Sequence, residues 1–80
     1  MRIDKYLKVS RLIKRRTIAN EACDAGRVTV NGKIVKASYD VSVGDIIEIK
    51  LGQNTLKFSV EAVAEHVLKD EAKTLYKVIS

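Results

Sequence analysis

The sequence predicts an α+β fold: two N-terminal helices packed on a small antiparallel sheet, with a short C-terminal helix/strand extension. Three observations carry that prediction. Ile3, Tyr6 and Leu7 stand at i, i+3 and i+4, with Ser10 next on the same stripe. Val28-Thr29-Val30 and Lys33-Ile34-Val35 flank Asn31-Gly32, the preferred pair for a tight two-residue hairpin turn. Ile47, Ile49 and Leu51, then Leu56, Phe58, Val60 and Ala62, alternate with polar residues, the period of strands with one buried face.

The first helix starts at the N-terminus. At about 100° per residue, Lys5 and Lys8 project away from its apolar stripe. Asp4 lies in the first turn, where the helix dipole favours a carboxylate. Its spacing favours pairing with Lys8 at i+4; orienting Arg2 or Lys5 is the alternative. Tyr6 reads as core.

Ser10-Arg11 makes a polar corner, followed by Leu12-Ile13 and Lys14-Arg15-Arg16. Thr17 suits the N-cap of a second helix, since its hydroxyl can accept from an orphan backbone N–H. Ile18, Ala19, Ala22 and Cys23, with Ala25 at the edge, give that helix a packing face of mostly small residues. Glu21 and Asp24 point away from it. Gly26 supplies the left-handed stop expected just past a helix end.

In the hairpin, Asn31 and Gly32 tolerate the positive φ that the turn requires. Arg27, Lys33 and Lys36 ring its tip. Val43-Gly44-Asp45 reads as a turn before the strand of Ile47, and Gly52-Gln53-Asn54-Thr55 as the turn between two long antiparallel strands. In the tail, Ala72, Leu75, Tyr76 and Ile79 keep helical spacing, while Tyr76–Ile79 also fits a closing strand. A short helix from about Asp70 leading into a brief extended end accommodates both. No repeat, linker or low-complexity segment divides the chain, so residues 1–80 read as one domain.

Charge narrows the function. The 80 residues carry a formal +5, but unevenly. Residues 1–36 hold ten Lys/Arg against three Asp/Glu, a net +7, whereas residues 37–80 carry a net −2. From Arg2 to Arg16 there are seven basic residues and one acidic, Asp4. A core does not need such a run; a polyanion does. One-sided cationic charge is the electrostatic footprint of a nucleic-acid binder.

Other classes fall away. The single cysteine, Cys23, rules out an internal disulfide framework and suits a reducing compartment. It sits on the packing face of the second helix and reads as an inert buried thiol. The longest apolar runs are far short of the ~20 residues that span a bilayer. The opening Met-Arg-Ile-Asp-Lys lacks a signal-peptide apolar region, so a cytoplasmic location is expected. His66 is the one histidine, with no second ligand beside it, and does not read as a metal site. No nucleophile–base pair, phosphate-loop glycine pattern or convergent carboxylate pair appears, so the chain reads as a non-enzyme needing no cofactor.

Arg2-Ile3-Asp4-Lys5-Tyr6-Leu7, Ser10-Arg11, Gly26-Arg27-Val28-Thr29-Val30-Asn31-Gly32 and Val41-Ser42-Val43-Gly44-Asp45 together resemble the S-four RNA-binding domain. That module was first defined in small-subunit ribosomal protein four. It also occurs in pseudouridine synthases and tyrosyl-tRNA synthetases. The motifs fall in the family's order and span residues 2–51; residues 64–80 form an extension beyond it. Each motif alone is weak; their order and spacing make the set specific. Nearly the whole chain, including Lys8-Val9-Ser10-Arg11-Leu12-Ile13-Lys14-Arg15-Arg16-Thr17, is similar to the free-standing RqcP group of this family, relatives of ribosome-associated heat-shock protein fifteen.

The resemblance implies the alpha-L RNA-binding fold, two helices followed by a small antiparallel sheet. It implies a bacterial factor on the large ribosomal subunit, in contact with ribosomal RNA and the peptidyl-tRNA left after a stalled ribosome splits. It would support a partner, RqcH, in extending the stalled chain with alanine, and would be a monomer when free. Expected RNA-binding residues are Arg2, Lys5, Lys8, Ser10, Arg11, Lys14, Arg15 and Arg16, with Arg27, Asn31, Lys33 and Lys36 around the hairpin. Arg2, Arg11, Arg15 and Arg16 rank ahead of the lysines, since a guanidinium can hold a phosphate by two parallel hydrogen bonds or stack on a base.

Two of these residues have a second reading. Ser10 can cap the helix corner as well as touch phosphate, and Asn31 serves the turn first. Tyr39, in a polar loop, is a better base-stacking candidate than Tyr6. The same basic surface would suit a ribosome-assembly or RNA-chaperone module, or an accessory domain presenting RNA to a separate modifying enzyme.

Overall fold

The computed structural model describes residues 1–79; Ser80, the last residue of the expected extension, lies outside them. Two helices, α1 (Ile3–Val9) and α2 (Arg16–Asp24), precede five strands: β1 (Val28–Val30), β2 (Lys33–Ile34), β3 (Ile46–Leu51), β4 (Asn54–Val60) and β5 (Tyr76–Val78). A 3₁₀ helix, Lys69–Leu75, leads into β5. The strands form one antiparallel sheet in the order β2-β1-β3-β4-β5.

The α1 stripe packs as its spacing predicts: Ile3, Tyr6, Leu7 and Ser10 are all buried. The start of the helix is pinned to the loop after β2. Ile3 N–H donates to Tyr39 C=O at 2.8 Å, Asp4 N–H donates to Ala37 C=O at 3.3 Å, and the N-terminal ammonium pairs with Asp40. The helix ends at Ser10, and the next residue, Arg11, adopts φ +63°.

α2 begins two residues earlier than the sequence suggests. Arg15, extended at φ −124°, is its N-cap, and Thr17 lies inside the first turn instead of capping it. Ala19 and Cys23, at i and i+4, face the core. Ile18, one residue and about 100° away, is turned outward and half exposed, not packed as expected. Ala25 is exposed as well. Gly26, at φ +73°, closes the helix: its N–H donates to Cys23 C=O and that of Arg27 to Ala22 C=O. This is the paired-bond stop that a left-handed glycine permits.

The β1–β2 hairpin turns at Asn31 (φ +53°) and Gly32 (φ +86°), as the sequence requires. Asn31 also ties the turn to the next strand. Its N–H donates to Ile46 C=O, and its side-chain Oδ1 accepts from Ile46 N–H at 2.9 Å. Val28 stands opposite Ile49, and Val30 opposite Ile47, which faces Phe58 on β4. These apolar positions form the buried face of the sheet. On the other face Thr29 opposes Glu48, and Glu48 opposes Lys57, with which it pairs at 3.6 Å.

β3 and β4 are joined by two residues, Gly52-Gln53, so Asn54 and Thr55 belong to the strand and not to the turn. Leu51 sits beside that turn and is exposed, against the alternation that buries Ile47 and Ile49. β4 ends at Val60, leaving Ala62 outside it. The chain then returns through the 3₁₀ helix, which buries Ala72 and Leu75. Tyr6 donates its hydroxyl to Leu75 C=O at 2.7 Å, joining α1 to this last segment. Tyr76 meets Phe58 edge to face at a centroid distance of 5.8 Å. No helix among the described residues is long and apolar enough to cross a membrane.

Candidate nucleic-acid interface

The most constrained charge in the basic region is acidic. Asp4 is 2% exposed, yet its carboxylate is fully engaged. One oxygen accepts from the Lys5 backbone N–H (2.8 Å), Arg2 Nε (3.2 Å) and Arg16 Nη2 (3.4 Å). The other accepts from Arg2 Nη2 and Asn20 Nδ2, both at 3.3 Å. Burial pushes this carboxyl up, but the bonds from Asn20, Arg16, Arg2 and the Lys5 amide outweigh it and hold it below the ordinary value.

Asp4 therefore does not pair with Lys8, as its spacing favoured. Arg2, the alternative partner, holds it by two bonds, and two more donors come from the next helix, twelve and sixteen residues along the chain. The result is two guanidinium groups held side by side. Arg2 and Arg16 are each about half exposed, 50% and 47%, so each keeps N–H donors facing water. Two cations on one carboxylate leave a net positive charge. Fixed donors of that kind suit phosphate oxygens, because the geometry is set before the ligand arrives. Asn20 was not singled out from the sequence. The signal was there: it lies one helical turn after Arg16, on the same face.

The other expected residues divide. Lys8, Arg11, Lys14, Arg15, Arg27, Lys33 and Lys36 are exposed and in no ion pair among the described residues. Lys8 and Arg11 line one cleft with His66. Lys5 is half-buried and paired with Glu65, from the segment after β4. Arg27 and Lys50 flank an apolar cleft formed by Ile13, Ile18 and Leu51. Lys50 lies beyond the basic run, so net charge by segment gave no reason to select it.

Two expectations are narrowed. Ser10 is 1% exposed and donates its hydroxyl to Leu7 C=O, the reading in which it caps the helix corner. Tyr39 is half-buried with its hydroxyl on Asp45 at 3.4 Å, and is not a free stacking ring. The Asn31 amide is spent within the protein, on Ile46 and Asp45. The Cys23 thiol is buried; desolvation, with Asp4 and Asp24 near, pushes its pKa up to about 11. His66 is exposed, and no cluster of metal-binding side chains occurs among the described residues.

Comparison with known families places this geometry. The S4 domain family model matches residues 1–47, from the first helix into β3. The chain belongs to the S4 domain family. Its S4 domain therefore includes the whole Asp4–Arg2–Arg16–Asn20 network and the β1–β2 hairpin. Relatives match over nearly the full length. The "RQC P-site tRNA stabilizing factor" of Halalkalibacterium halodurans is 54% identical over 98% of this chain and 89% of its own. That of Streptococcus pneumoniae is 48% identical over 100% of this chain and 91% of its own. A solved structure of Vibrio cholerae heat shock protein 15, described as trimeric, superposes with a TM-score of 0.91 at 28% identity, over 100% of this chain and 82% of that one. In this S4 domain protein the sheet, the 3₁₀ helix and β5 continue the fold beyond the matched residues.

Proposed function

We propose that this S4 domain protein is a non-enzymatic RNA-binding factor of ribosome-associated quality control. It binds ribosomal RNA on the large subunit and holds peptidyl-tRNA in the P site after a stalled ribosome has split. By holding that tRNA it supports an RqcH-type partner, which extends the stalled chain with alanine. It acts in the cytoplasm as a monomer that joins the ribosome.

The observation that carries this reading is near full-length identity of about half with proteins named for stabilizing P-site tRNA. The geometry supports it. Arg2 and Arg16, braced on Asp4, offer donors to phosphates, and Lys8, Arg11, Lys14 and Arg15 stand free nearby in the chain. Folded ribosomal RNA exposes phosphates and 2′-hydroxyls, which such donors read without entering the deep groove.

The test is sedimentation of extracts under stalling conditions. The protein should travel with the large subunit together with tRNA. Charge reversal at Arg2 and Arg16 should abolish that association; because it also takes both guanidinium partners from the buried Asp4, a melting curve checks that the variant is folded at the assay temperature. Unchanged co-sedimentation of the double variant overturns the assignment of these two residues. Binding to immature particles that lack tRNA would favour an assembly role instead.

A further inference from the structure

The S4 match ends at residue 47, but a basic cleft lies where the C-terminal segment meets the helix corner. Arg11 lines it together with Lys69, Asp70 and Lys73 of the 3₁₀ helix. We propose that Lys69 and Lys73, with Arg11, form a second binding subsite for the RNA phosphate backbone, built by the extension and separate from the Asp4-braced pair. The proposal rests on the RNA-binding reading above.

Four observations support it. The 3₁₀ helix is firmly seated: Ala72 and Leu75 are buried, and Leu75 C=O accepts from the Tyr6 hydroxyl and from the amides of Glu61 and Ala62. Lys69 and Lys73 are thus carried on a docked element and not on a loose tail. Next, Arg11, Lys69, Lys73 and Asp70 are all exposed and in no ion pair among the described residues. Three cations face one anion with no internal use for the excess.

The backbone of Arg11 is the third observation. Both helices end on a left-handed residue, Gly26 after α2 and Arg11 after α1. In both, that residue donates its N–H three residues back, to Cys23 and to Lys8, each at 3.0 Å. Glycine meets this need without strain, and arginine does not. A long cation kept at a strained corner points to a use for the side chain. Fourth, Arg11 also borders the neighbouring cleft with Lys8. The acid there, Glu65, is already paired with Lys5. Lys8, Arg11, Lys73 and Lys69 thus line two adjoining clefts, an arrangement for a chain of phosphates and not for one small anion.

The experiment compares full-length variants in binding purified bacterial large ribosomal subunits at salt from about 50 to about 200 mM. Lys69→Gln with Lys73→Gln should make the salt dependence shallower by about 1.4 to 1.8, the loss of two phosphate contacts. Lys57→Gln with Lys77→Gln, the same charge change on β4 and β5, should leave the slope unchanged. A full slope in the Lys69/Lys73 variant, while Arg2→Gln with Arg16→Gln loses affinity, overturns this subsite and spares the functional reading. An equal drop in the Lys57/Lys77 control also overturns it, since only net charge would then matter. No binding by the unaltered chain would overturn the functional reading, and the subsite with it. Cooperative unfolding well above the assay temperature in every variant establishes that the folds are intact, with Arg2→Gln plus Arg16→Gln melting lowest because the buried Asp4 loses two donors.

Discussion

Asp4 and Arg16 meet at 3.4 Å across the junction of α1 and α2, one buried and the other half open to water. The contact reverses the ordinary electrostatic expectation for an RNA-binding surface. A carboxylate beside the proposed phosphate site should repel the ligand. Here it fixes two donors whose long side chains would otherwise sample many rotamers, and ordering them in advance lowers the cost of binding.

Replacing Asp4 with Asn should therefore weaken binding to large ribosomal subunits by about tenfold, or about 1.4 kcal/mol, although it removes a negative charge. The amide offers one acceptor oxygen where the carboxylate uses two, and its N–H₂ faces other donors. Titration of subunits with the variant checks this. Tighter binding would show that Asp4 acts only by its charge.

The same carboxylate should give the protein an acid limit. Its folded pKa lies below the ordinary aspartate value. The unfolded chain thus takes up the proton first as pH falls. The stability contributed by Asp4 is present in full above about pH 4. It is lost between there and the lower folded value. Denaturant titrations at stepped pH should show this loss in the native sequence and a smaller one in Asp4→Asn.

Arg11→Gly should separate stability from binding. It relieves about 1–2 kcal/mol of left-handed strain and restores about 0.5–1 kcal/mol of unfolded-chain entropy. The net gain of up to about 1.5 kcal/mol should raise the melting temperature by a few degrees. Subunit binding should fall in the same variant. A variant that is both stabler and fully competent would show that Arg11 has no ligand.

Thr29→Val should stabilise the sheet. The Thr29 hydroxyl is buried on the face opposite the core and finds no partner among the described residues. An isosteric methyl removes that unmet hydrogen bond, for a gain of about 1 kcal/mol. Thermal unfolding measures it; a lower melting temperature would mean the hydroxyl has a solvent partner.

Local periodicity made the elements readable. The stripe of Ile3, Tyr6, Leu7 and Ser10 and the turn at Asn31-Gly32 depend on neighbours within a few residues, and both stand as read. Ile18 and Leu51 were misjudged because an apolar residue declares no direction. Ala19 and Cys23 fix the buried face of α2 and turn Ile18 out, while the turn at Gly52 leaves Leu51 at the sheet's end. Asp4 departs from its first reading for another reason. Its local spacing offers Lys8, with Arg2 as the alternative; Arg2 does hold it, and the angle between the helices adds Arg16 and Asn20. Charge found the basic half; only the packing of two helices could show which cations are held and by what.

The hydrogen bond from Tyr6 to Leu75 joins residues 69 positions apart. Beside it, β5 covers an edge of β4 that stays bare until Tyr76–Val78 pair with it. The core therefore cannot close until these two distant segments have met. Contacts so distant in sequence slow the search for the native arrangement. Until they form, the bare edge is open to pairing with a strand of another molecule.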